Sequence, residues 1–413
     1  MKFKMTSLEK QWVLYDVGNS AFTLLIATIL PIYFNYLAGN AGLDSVTYLA
    51  YWGYAASITT LMVALSGPVF GTMADYRGYK KPIFTASILL GAVGCLCLGL
   101  MRQWLVFLIV FIIAKFGYAV SLIFYDSMLT DVTEEDRMDV VSSQGYAWGY
   151  IGSCVPFILC LVLVLFYEKL GLSFATAMLI SFAIIALWWV GSSLPLLKHY
   201  KQRYYIERQP HAVRSSFARL WDTLKGLRED KQVAFFLLAF FFYIDGVYTI
   251  IDMATAYGSA LGLDSTGLLL ALLVTQFVAF PCSIIFGFLS RKYRPELLIT
   301  IAILAYTGIV FFAVTLTTQI QFWILAVLVG MFQGGIQALS RSYFGKIIPN
   351  EKSGEYFGLM DICGKGAAFM GTIVVSVVSQ ITGNAHAGVG AIAVLFLIGL
   401  YFFRKTVRLG RAA

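Results

Sequence analysis

Long apolar segments recur along the whole chain and decide what it can fold into. Twelve of them follow one another with short interruptions. As helices they are long enough to cross a bilayer core of ~30 Å. The chain is 59% hydrophobic and 13% charged, whereas a soluble chain carries about a quarter charged residues. An all-α integral membrane protein is therefore expected. The predicted spans are 12–37, 47–74, 82–101, 104–131, 140–167, 173–195, 232–261, 265–290, 296–317, 321–346, 355–381 and 385–404.

The longest polar break follows the sixth apolar run and divides the chain into six plus six. It predicts an N-terminal six-helix bundle over 1–197, a cytoplasmic linker over 198–231 and a C-terminal six-helix bundle over 232–413. The linker is rich in charged residues and is therefore expected to be solvated. Within it, residues 215–227 predict an amphipathic helix that lies along the membrane surface.

Basic residues are distributed very unevenly about the apolar runs. Of the thirty Lys and Arg residues, 26 fall in the termini and alternate loops on one side, and two fall in loops on the other. This bias predicts that both termini are cytoplasmic. The net charge of +8 is then explained by basic residues that set the orientation in the membrane, and no nucleic-acid partner is expected. The polar start leads into a segment too long for the apolar core of a signal peptide.

Cysteine, histidine and motif usage argue against an enzyme. The six cysteines lie in apolar runs, where they serve as small packing residues, and the three histidines lie in loops or at helix ends. No zinc-ligand spacing occurs, nor does a GxxxxGK[ST] phosphate loop, an HExxH motif or a GxSxG elbow. We therefore expect no cofactor, no metal, no ATP-driven pump and no hydrolase.

Charged and amide side chains inside apolar runs are costly in lipid and mark functional candidates. In the first run, Asp16 and Asn19 share a helical face, which Thr23 continues. In the seventh run, Asp245 lies near the midplane, and Asp252 lies on the same face nearer the outside. Each could bind substrate or a proton, or could form a structural ion pair.

The fourth and eleventh runs each contain one lysine near the midplane, Lys115 and Lys365. Either lysine is a candidate for holding a substrate carboxylate. Lys365 also stands four residues after Asp361, a spacing that allows the two to pair with each other. On the fourth run, Tyr125 shares the face of Lys115 approximately, and Asp126 lies closer to the cytoplasm, as a gate residue would.

The eighth and tenth runs add polar amides. Gln333 and Gln337 lie four residues apart on the tenth run, beside glycines that permit close helix packing. Gln276 and Pro281 on the eighth run predict a polar contact and a local bend.

The two halves of the chain resemble each other. The second run ends GPVFGTMADYRGYKK and the eighth ends SIIFGFLSRKYRPE, which aligns Gly71 with Gly287. The fifth opens DRMDVVSSQGYAWGYIG and the eleventh EKSGEYFGLMDICGKG, which aligns Gly145 with Gly358. A duplicated six-helix unit is the organisation of transporters whose site lies between the halves, near the midplane.

The stretch GTMADYRGYKK resembles the loop signature of the major facilitator superfamily. The resemblance implies that Gly71 allows close helix approach, and that Asp75, Arg77 and Gly78 belong to a cytoplasmic motif. In this motif, Asp75 and Arg77 would form a charge-and-cap cluster, that is, a charged group that caps the N-terminus of a helix in the other half. The cluster would stabilise the outward-facing state. The sequence departs from the pattern because Arg291 replaces the aspartate in the second half. The superfamily's arginine motif on the fourth helix is also absent.

Four further stretches are similar to the vacuolar amino-acid effluxer branch of that superfamily. They are WVLYDVGNSAF, FFYIDGVYTI, GGIQALSRSYFGKIIP and EYFGLMDICGK, on the first, seventh, tenth and eleventh helices. The branch includes bacterial members, which this compact chain resembles. The resemblance implies two pseudo-symmetric six-helix bundles, alternating access, a monomer and a location in the bacterial cytoplasmic membrane among membrane lipids.

The prediction is a secondary transporter for a small polar carboxylated solute, with amino acids first. Lys115 and Lys365 would hold the carboxylate, and Tyr125, Gln333 and Asn19 would help to orient the solute. Asp245 or Asp16 would bind an amine or a coupling proton. The residues predicted for proton coupling or gating are Asp16, Asp126, Asp245, Asp252 and Asp361.

Two other functions stay open at this stage. Aromatic residues make up 16% of the chain and could line a cavity for drugs, lipids or other amphiphiles, which an exporter would carry. A membrane receptor, a scaffold or an intramembrane enzyme is the second alternative. No added soluble domain and no catalytic cluster in the sequence support it.

Overall fold

The computed structural model describes residues 3–207, 212–227 and 229–412, and this part of the chain is almost entirely helical. The all-α prediction is confirmed. Two short 3₁₀ turns accompany the α-helices. The helices are α1 (Ser7–Ala27), α2 (Ile29–Asn40), α3 (Ser45–Ala74), α4 (Lys80–Leu98), α5 (Trp104–Ser127), α6 (Leu129–Val132), α7 (Met138–Phe166), α8 (Phe174–His199), α9 (Ala212–Gly226), α10 (Lys231–Ala260), α11 (Ser265–Leu289), α12 (Pro295–Val314), α13 (Gln319–Ile347), α14 (Ser353–Thr382) and α15 (Ala385–Ala412).

Twelve helical segments of the described chain are long and apolar enough to cross a membrane, as predicted. α1 and α2 together form the first segment, and their axis breaks at Thr28, whose φ and ψ are −130° and −68°. The short α6 and the linker helix α9 are not among the twelve. The first segment begins earlier than predicted, at Ser7. A capping box explains this, because Thr6 accepts from the Glu9 amide and Glu9 accepts from the Thr6 amide.

Buried apolar side chains form two main cores, one in each half of the chain. One core runs from Trp12 to Tyr200 and the other from Val233 to Phe403. The halves meet where α3 packs on α14, and where α7 packs on α11 and α13. The interface is therefore built from duplicated elements, because α3 corresponds to α11 in the repeat and α7 corresponds to α14.

Glycines allow these two crossings to be close. A Cβ on Gly71 of α3 would lie 2.2 Å from the carbonyl oxygen of Gly354 on α14. At the equivalent crossing, a Cβ on Gly287 of α11 would lie 2.7 Å from the Cβ of Ser143 on α7. Gly71 and Gly287, which align in the sequence, thus both allow a close crossing between helices of opposite halves.

The described ends of the chain lie on the same face of the molecule as the described part of the linker, because six spanning segments precede the linker and six follow it. This face is called here the linker face. On this face α9 packs against the end of α3. Before α9, the linker runs beside the loop that follows α3. The two are joined by backbone hydrogen bonds, from the Arg77 amide to the Ile206 carbonyl and from the Ile206 amide to the Asp75 carbonyl. The predicted amphipathic helix is present as α9. It packs against the rest of the protein, and its Trp221 side chain is exposed. Residues 208–211 and 228 of the predicted linker lie outside the described residues.

Candidate transport site

A cavity of about 230 Å³ lies between the two halves. It is smaller than the 300–1,000 Å³ typical of drug-sized pockets, so its size suits a small solute. Helices α5 and α7 contribute from the N-terminal half, and α10, α13 and α14 from the C-terminal half. The lining residues are Leu122, Asp126, Tyr146, Phe240, Ile244, Tyr248, Gln337, Arg341, Phe357, Met360, Asp361, Gly364 and Lys365.

Lys365 and Asp361 form one charged group on the cavity wall. They lie one turn apart on α14, and Lys365 Nζ is 2.6 Å from Asp361 Oδ1 and also contacts Oδ2. Both side chains are partly exposed. The predicted substrate lysine therefore reaches the cavity already paired with a carboxylate of its own helix.

Arg341 and Asp126 form the second charged group, and this pair joins the two halves. Arg341 Nη1 on α13 donates to Asp126 Oδ1 on α5 at 2.9 Å. Arg341 also donates from Nε to Ser142 Oγ at 2.9 Å and from Nη2 to the Ser142 carbonyl at 3.0 Å. Its side chain is 4% exposed, while that of Asp126 is 32% exposed.

Three aromatic rings of the N-terminal half surround the guanidinium of Arg341. Its Cζ lies 4.4 Å from the ring centre of Tyr146, 4.7 Å from that of Trp12 and 5.3 Å from that of Tyr125. Cation–π attraction is strengthened when the cation is removed from water. Arg341 is not among the site residues predicted from the sequence, although α13 continues through it to Ile347 and places it on the cavity wall.

Asp16 lies behind this aromatic cluster and is not a lining residue of the cavity. It is 7% exposed, and Tyr125 donates its hydroxyl hydrogen to Asp16 Oδ2 at 3.1 Å. Tyr125 itself is 1% exposed and stacks on Trp12. Asn19, one turn along α1, is buried as well. The structure therefore joins Asp16 to Tyr125, but it places Asp16, Tyr125 and Asn19 beneath the cavity surface.

Lys115 and Asp252 belong to opposite halves and attract each other electrostatically. Within the described part of the chain, no hydrogen bond or ion pair of Lys115 is found, and its Nζ lies 5.7 Å from the ring centre of Phe111. Asp252 and Lys365 are the charged groups that act on it. The Asp252 side chain on α10 is not covered by other residues of the described chain. The two predicted residues belong to opposite halves, and neither is among the lining residues of the central cavity.

Asp245 and Gln333 lie inside the C-terminal half, away from the central cavity. Asp245 is fully buried and accepts from the Gly371 amide at 2.8 Å and from Thr249 Oγ1 at 3.3 Å. Gln333 is 3% exposed and borders a separate space of about 50 Å³, together with Gln276. Gln337, one turn from Gln333, is the glutamine that reaches the central cavity.

Between the cavity and the linker face, Asp75 caps a helix of the opposite half. Its carboxylate accepts from the amides of Gly354, at 2.7 Å, and Glu355, at 3.1 Å, at the N-terminus of α14. Arg219 of α9 lies 2.8 Å from Glu355 and 3.6 Å from Asp75. Burial raises the pKa of Asp75 to about 7, against the opposing effects of Lys80, these amides and Arg219.

Asp75 caps a partner helix as the predicted charge-and-cap cluster requires, but Arg77 is not part of that cluster. Arg77 points to the surface, where it pairs with Glu207 of the linker at 3.3 Å, and both side chains are largely exposed. Arg219, which lies 144 positions after Asp75, takes the expected place of Arg77. Gly78 turns the chain between α3 and α4 with a φ of +76°, a conformation that other residues rarely adopt.

Two more ionic contacts near the linker face were not foreseen from the sequence. Lys80 is fully buried and donates to Asp131 at 3.0 Å, and to Ser353 of the opposite half at 3.1 Å. On α7, Asp139 accepts from Lys346 at 2.7 Å and from Ser342 at 2.6 Å, both on α13. These contacts close the linker face.

Two matched helical halves around a charged central cavity, closed on one face, define a transporter of the major facilitator superfamily. Solved transporters of that superfamily share the fold. FucP in its outward conformation gives a TM-score of 0.71 at 16% identity, with 97% of each chain covered. The human organic anion transporter MFSD10 (TETRAN) gives 0.71 at 13% identity, with 96% of this chain and 99% of that chain covered.

The chain belongs to the vacuole effluxer Atg22-like family, whose model matches residues 7–413. The MFS-type transporter YxiO of Bacillus subtilis (strain 168) is 41% identical over 405 residues, covering 97% of this chain and 95% of YxiO. Autophagy-related protein 22 of Kluyveromyces lactis is 23% identical over 380 residues, covering 84% of this chain and 76% of that protein. The predicted superfamily, branch and two-bundle fold class are confirmed. Members of this superfamily are transporters, not enzymes.

Proposed function

We propose that this transporter moves a small carboxylated solute, with amino acids as the foremost candidates, by alternating access of the cavity between its halves. The observation that carries the proposal is the charge of that cavity. Its lining includes two basic side chains and two carboxylates, Arg341 with Asp126 and Lys365 with Asp361. A cavity with both signs of charge suits a solute with both signs of charge.

In this proposal Lys365 and Lys115 attract the solute carboxylate into the space between the halves. Lys365 is on the cavity wall, and Lys115 lies within electrostatic range of it. Gln337 takes the orienting role that the sequence predicted for Gln333, because it lines the cavity. Tyr248 of the C-terminal half and Tyr146 of the N-terminal half provide aromatic surface on opposite sides.

The test of the carboxylate role is a thermal-shift screen of purified protein against amino acids, organic acids, peptides and amphiphiles. A ligand that binds the folded state raises Tm by mass action. We expect a carboxylated solute to stabilise the wild type and to lose most of this effect in Lys365→Ala. The hit is then assayed for uptake into proteoliposomes. Stabilisation by amphiphiles alone, equal in both proteins, would refute the proposal.

Asp245 is the proposed proton carrier if transport is coupled to protons. It is buried in an apolar interior, and its Oδ2 has no hydrogen-bond partner in the described structure. A buried carboxylate with one unsatisfied oxygen is costly, and a bound proton would offset part of that cost. Asp245→Asn should therefore abolish the dependence of transport on a proton gradient. Wild-type transport rates in Asp245→Asn at every pH from about 5 to 8 would remove this role.

The proposed location is the bacterial cytoplasmic membrane, with the linker face and both termini in the cytoplasm and the monomer as the working unit. The excess of Lys and Arg on the linker face supports this orientation. A membrane-impermeant thiol reagent should label a cysteine at exposed Arg77 only after the cells are permeabilised. Labelling of that cysteine in intact cells would reverse the assignment.

An exporter of amphiphiles is the second candidate, and an apolar cavity of about 270 Å³ favours it. All of its described lining residues belong to the C-terminal half, however, so a solute in this cavity would not contact both halves. Its lining residues are Thr249, Ile250, Met253, Ala254, Tyr257, Ile309, Ala313, Leu325, Val375, Ser376, Ser379, Ala385, Val389 and Ile392.

A further inference from the structure

The ion pair between Arg341 and Asp126 has two features that no other charged pair of the cavity combines in the described structure. It lines the cavity, so a solute can reach it. It also joins α13 of one half to α5 of the other. Lys365 and Asp361, in contrast, belong to one turn of α14, and a change in their pairing alters no contact between the halves.

We infer that Arg341 and Asp126 form the head-group site for a zwitterionic amino acid, which binds by exchanging this ion pair for two new ones. The solute carboxylate takes the Arg341 guanidinium, and the solute ammonium takes the Asp126 carboxylate. This inference rests on the proposed function and identifies its substrate class and the residues that recognise it.

The geometry of Arg341 suits this exchange. A guanidinium has five N–H donors, of which Arg341 uses one each from Nε, Nη1 and Nη2 in the described contacts. The bonds to Ser142 and the aromatic rings hold the side chain in place without Asp126. Arg341 would thus stay oriented after its carboxylate partner leaves. A planar guanidinium held in this way binds a carboxylate through two parallel hydrogen bonds.

Charge balance favours a zwitterion over a simple anion or cation. An anion that displaced Asp126 would leave that carboxylate unpaired in a confined space, and an amine that took Asp126 would leave Arg341 unpaired. Removing one member of a buried ion pair is strongly unfavourable. A zwitterion leaves neither group alone, because its two charges replace the two that are separated.

The exchange also connects solute binding to the opening of the linker face. The direct bond from Arg341 to Asp126 is lost when the solute occupies both groups, and the solute then joins the halves at this point, beside the bonds from Arg341 to Ser142. The contacts of Asp75, Lys80 and Asp139 remain on the linker-face side of the cavity. The closure at its inner end therefore depends on the bound solute in place of a direct ion pair.

The first test compares amino acids with analogues that lack one charge, by calorimetry on purified protein. The probes are leucine, 4-methylpentanoate and 3-methylbutylamine, and alanine, propionate and ethylamine. For wild type we expect at least one amino acid to bind about 10- to 100-fold more tightly than both of its analogues. Asp126→Asn should lose the preference for leucine over 4-methylpentanoate. Arg341→Lys keeps the cation but not the planar pair of donors, and should therefore reduce the preference for leucine over 3-methylbutylamine.

The second test follows the linker face through a cysteine at Ser143, with the six native cysteines replaced by alanine. Ser143 is buried against Gly287, and its hydroxyl has no described hydrogen-bond partner, so the substitution is mild. Without solute, Asp126→Asn should raise the rate of thiol labelling about 10-fold, because a contact between the halves is missing. Lys365→Ala, the matched control, should leave the rate unchanged.

Lys346→Ala separates binding from gating, because it breaks the contact with Asp139 and does not touch the cavity. It should increase labelling while it retains the preference for the zwitterion. Unchanged binding and labelling in both Asp126→Asn and Arg341→Lys would overturn the exchange and leave the proposed function standing. Binding of other carboxylated solutes but of neither amino acid would do the same. Failure of every carboxylated solute to bind wild type would overturn both proposals.

Discussion

Two basic residues three positions apart, Arg77 before α4 and Lys80 at its start, have opposite environments. Lys80 is fully buried, as is its partner Asp131, whereas Arg77 and its partner Glu207 are mostly exposed. The energetic value of an ion pair depends on this difference, because a buried charge that loses its partner cannot be solvated instead. Composition and spacing alone would rank the two residues as equivalent.

Lys80→Ala should destabilise the protein by about 3–5 kcal/mol, since it leaves Asp131 buried without a cation. Arg77→Ala, the matched control three positions earlier, should cost no more than about 1 kcal/mol. Chemical unfolding of the two variants and wild type in the same detergent measures the difference in unfolding free energy. Equal losses in the two variants would show that burial does not govern these pairs.

At the residue scale, the sequence predicted which residue types matter better than which residues meet. A charge inside an apolar run is visible in the sequence, and Asp126, Asp361 and Lys365 indeed line the cavity. The partners of Asp75 and Asp126 are Arg219 and Arg341, which are distant in the chain, and spacing along one helix carries no information about such contacts.

At the scale of elements, the tightest contact between the halves is the crossing of α3 and α14 at Gly71. The duplication of the sequence made this glycine a candidate, because repeats that place glycine at equivalent positions also place equivalent helix crossings there. The sequence could not give the partner helix, since either half could have supplied it. The structure gives Gly354 of α14 as the facing residue.

Gly71→Ala should force α3 and α14 apart, because its Cβ would lie 2.2 Å from a backbone oxygen. Overpacking of this kind costs about 1–3 kcal/mol and should open the linker face. Gly53→Ala on the same helix is the control, since a Cβ there meets nothing within 4 Å. The rate of thiol labelling at Ser143→Cys should rise in the first variant and stay constant in the second. A constant rate in both would argue that the crossing tolerates the added methyl group.

At the scale of the whole molecule, fold class was the most predictable property and the closed state the least. The bilayer requires helices that satisfy their own backbone hydrogen bonds, so twelve apolar runs leave little choice of architecture. Which face is closed depends instead on small differences among contacts between the halves. Asp75, Asp126 and Asp139 provide such contacts, each with a partner in the other half that is remote in sequence.

The closed linker face should depend on pH through Asp75. Burial raises the pKa of this carboxyl to about 7 in the closed state, and contact with water on opening would return its pKa toward the ordinary value of about 4. The closed state then binds the proton more tightly. By linkage, closure is favoured as pH falls, fully so below about 4, and this contribution is lost as pH rises through about 7.

Several charged groups face Asp75 and contribute to this balance. Lys80 and Arg219 favour the ionised carboxyl, as do the amides of Gly354 and Glu355, while the carboxylate of Glu355 lies on the other side of Arg219. Burial outweighs the favourable partners, which gives the direction of the prediction. Arg219→Gln removes one favourable partner and should therefore shift the midpoint of opening to higher pH.

The measurement is the rate of thiol labelling at Ser143→Cys between about pH 6 and pH 8, normalised at each pH to the rate for unfolded protein, which removes the titration of the thiol itself. Labelling should increase with pH in wild type as the closed state loses its proton-linked advantage. Asp75→Asn fixes the side chain in a neutral form and should give a pH-independent rate. A wild-type profile that is flat, or that persists in Asp75→Asn, would assign closure to groups other than Asp75. The contacts of Asp126 and Asp139 with α13 would then be the next to examine.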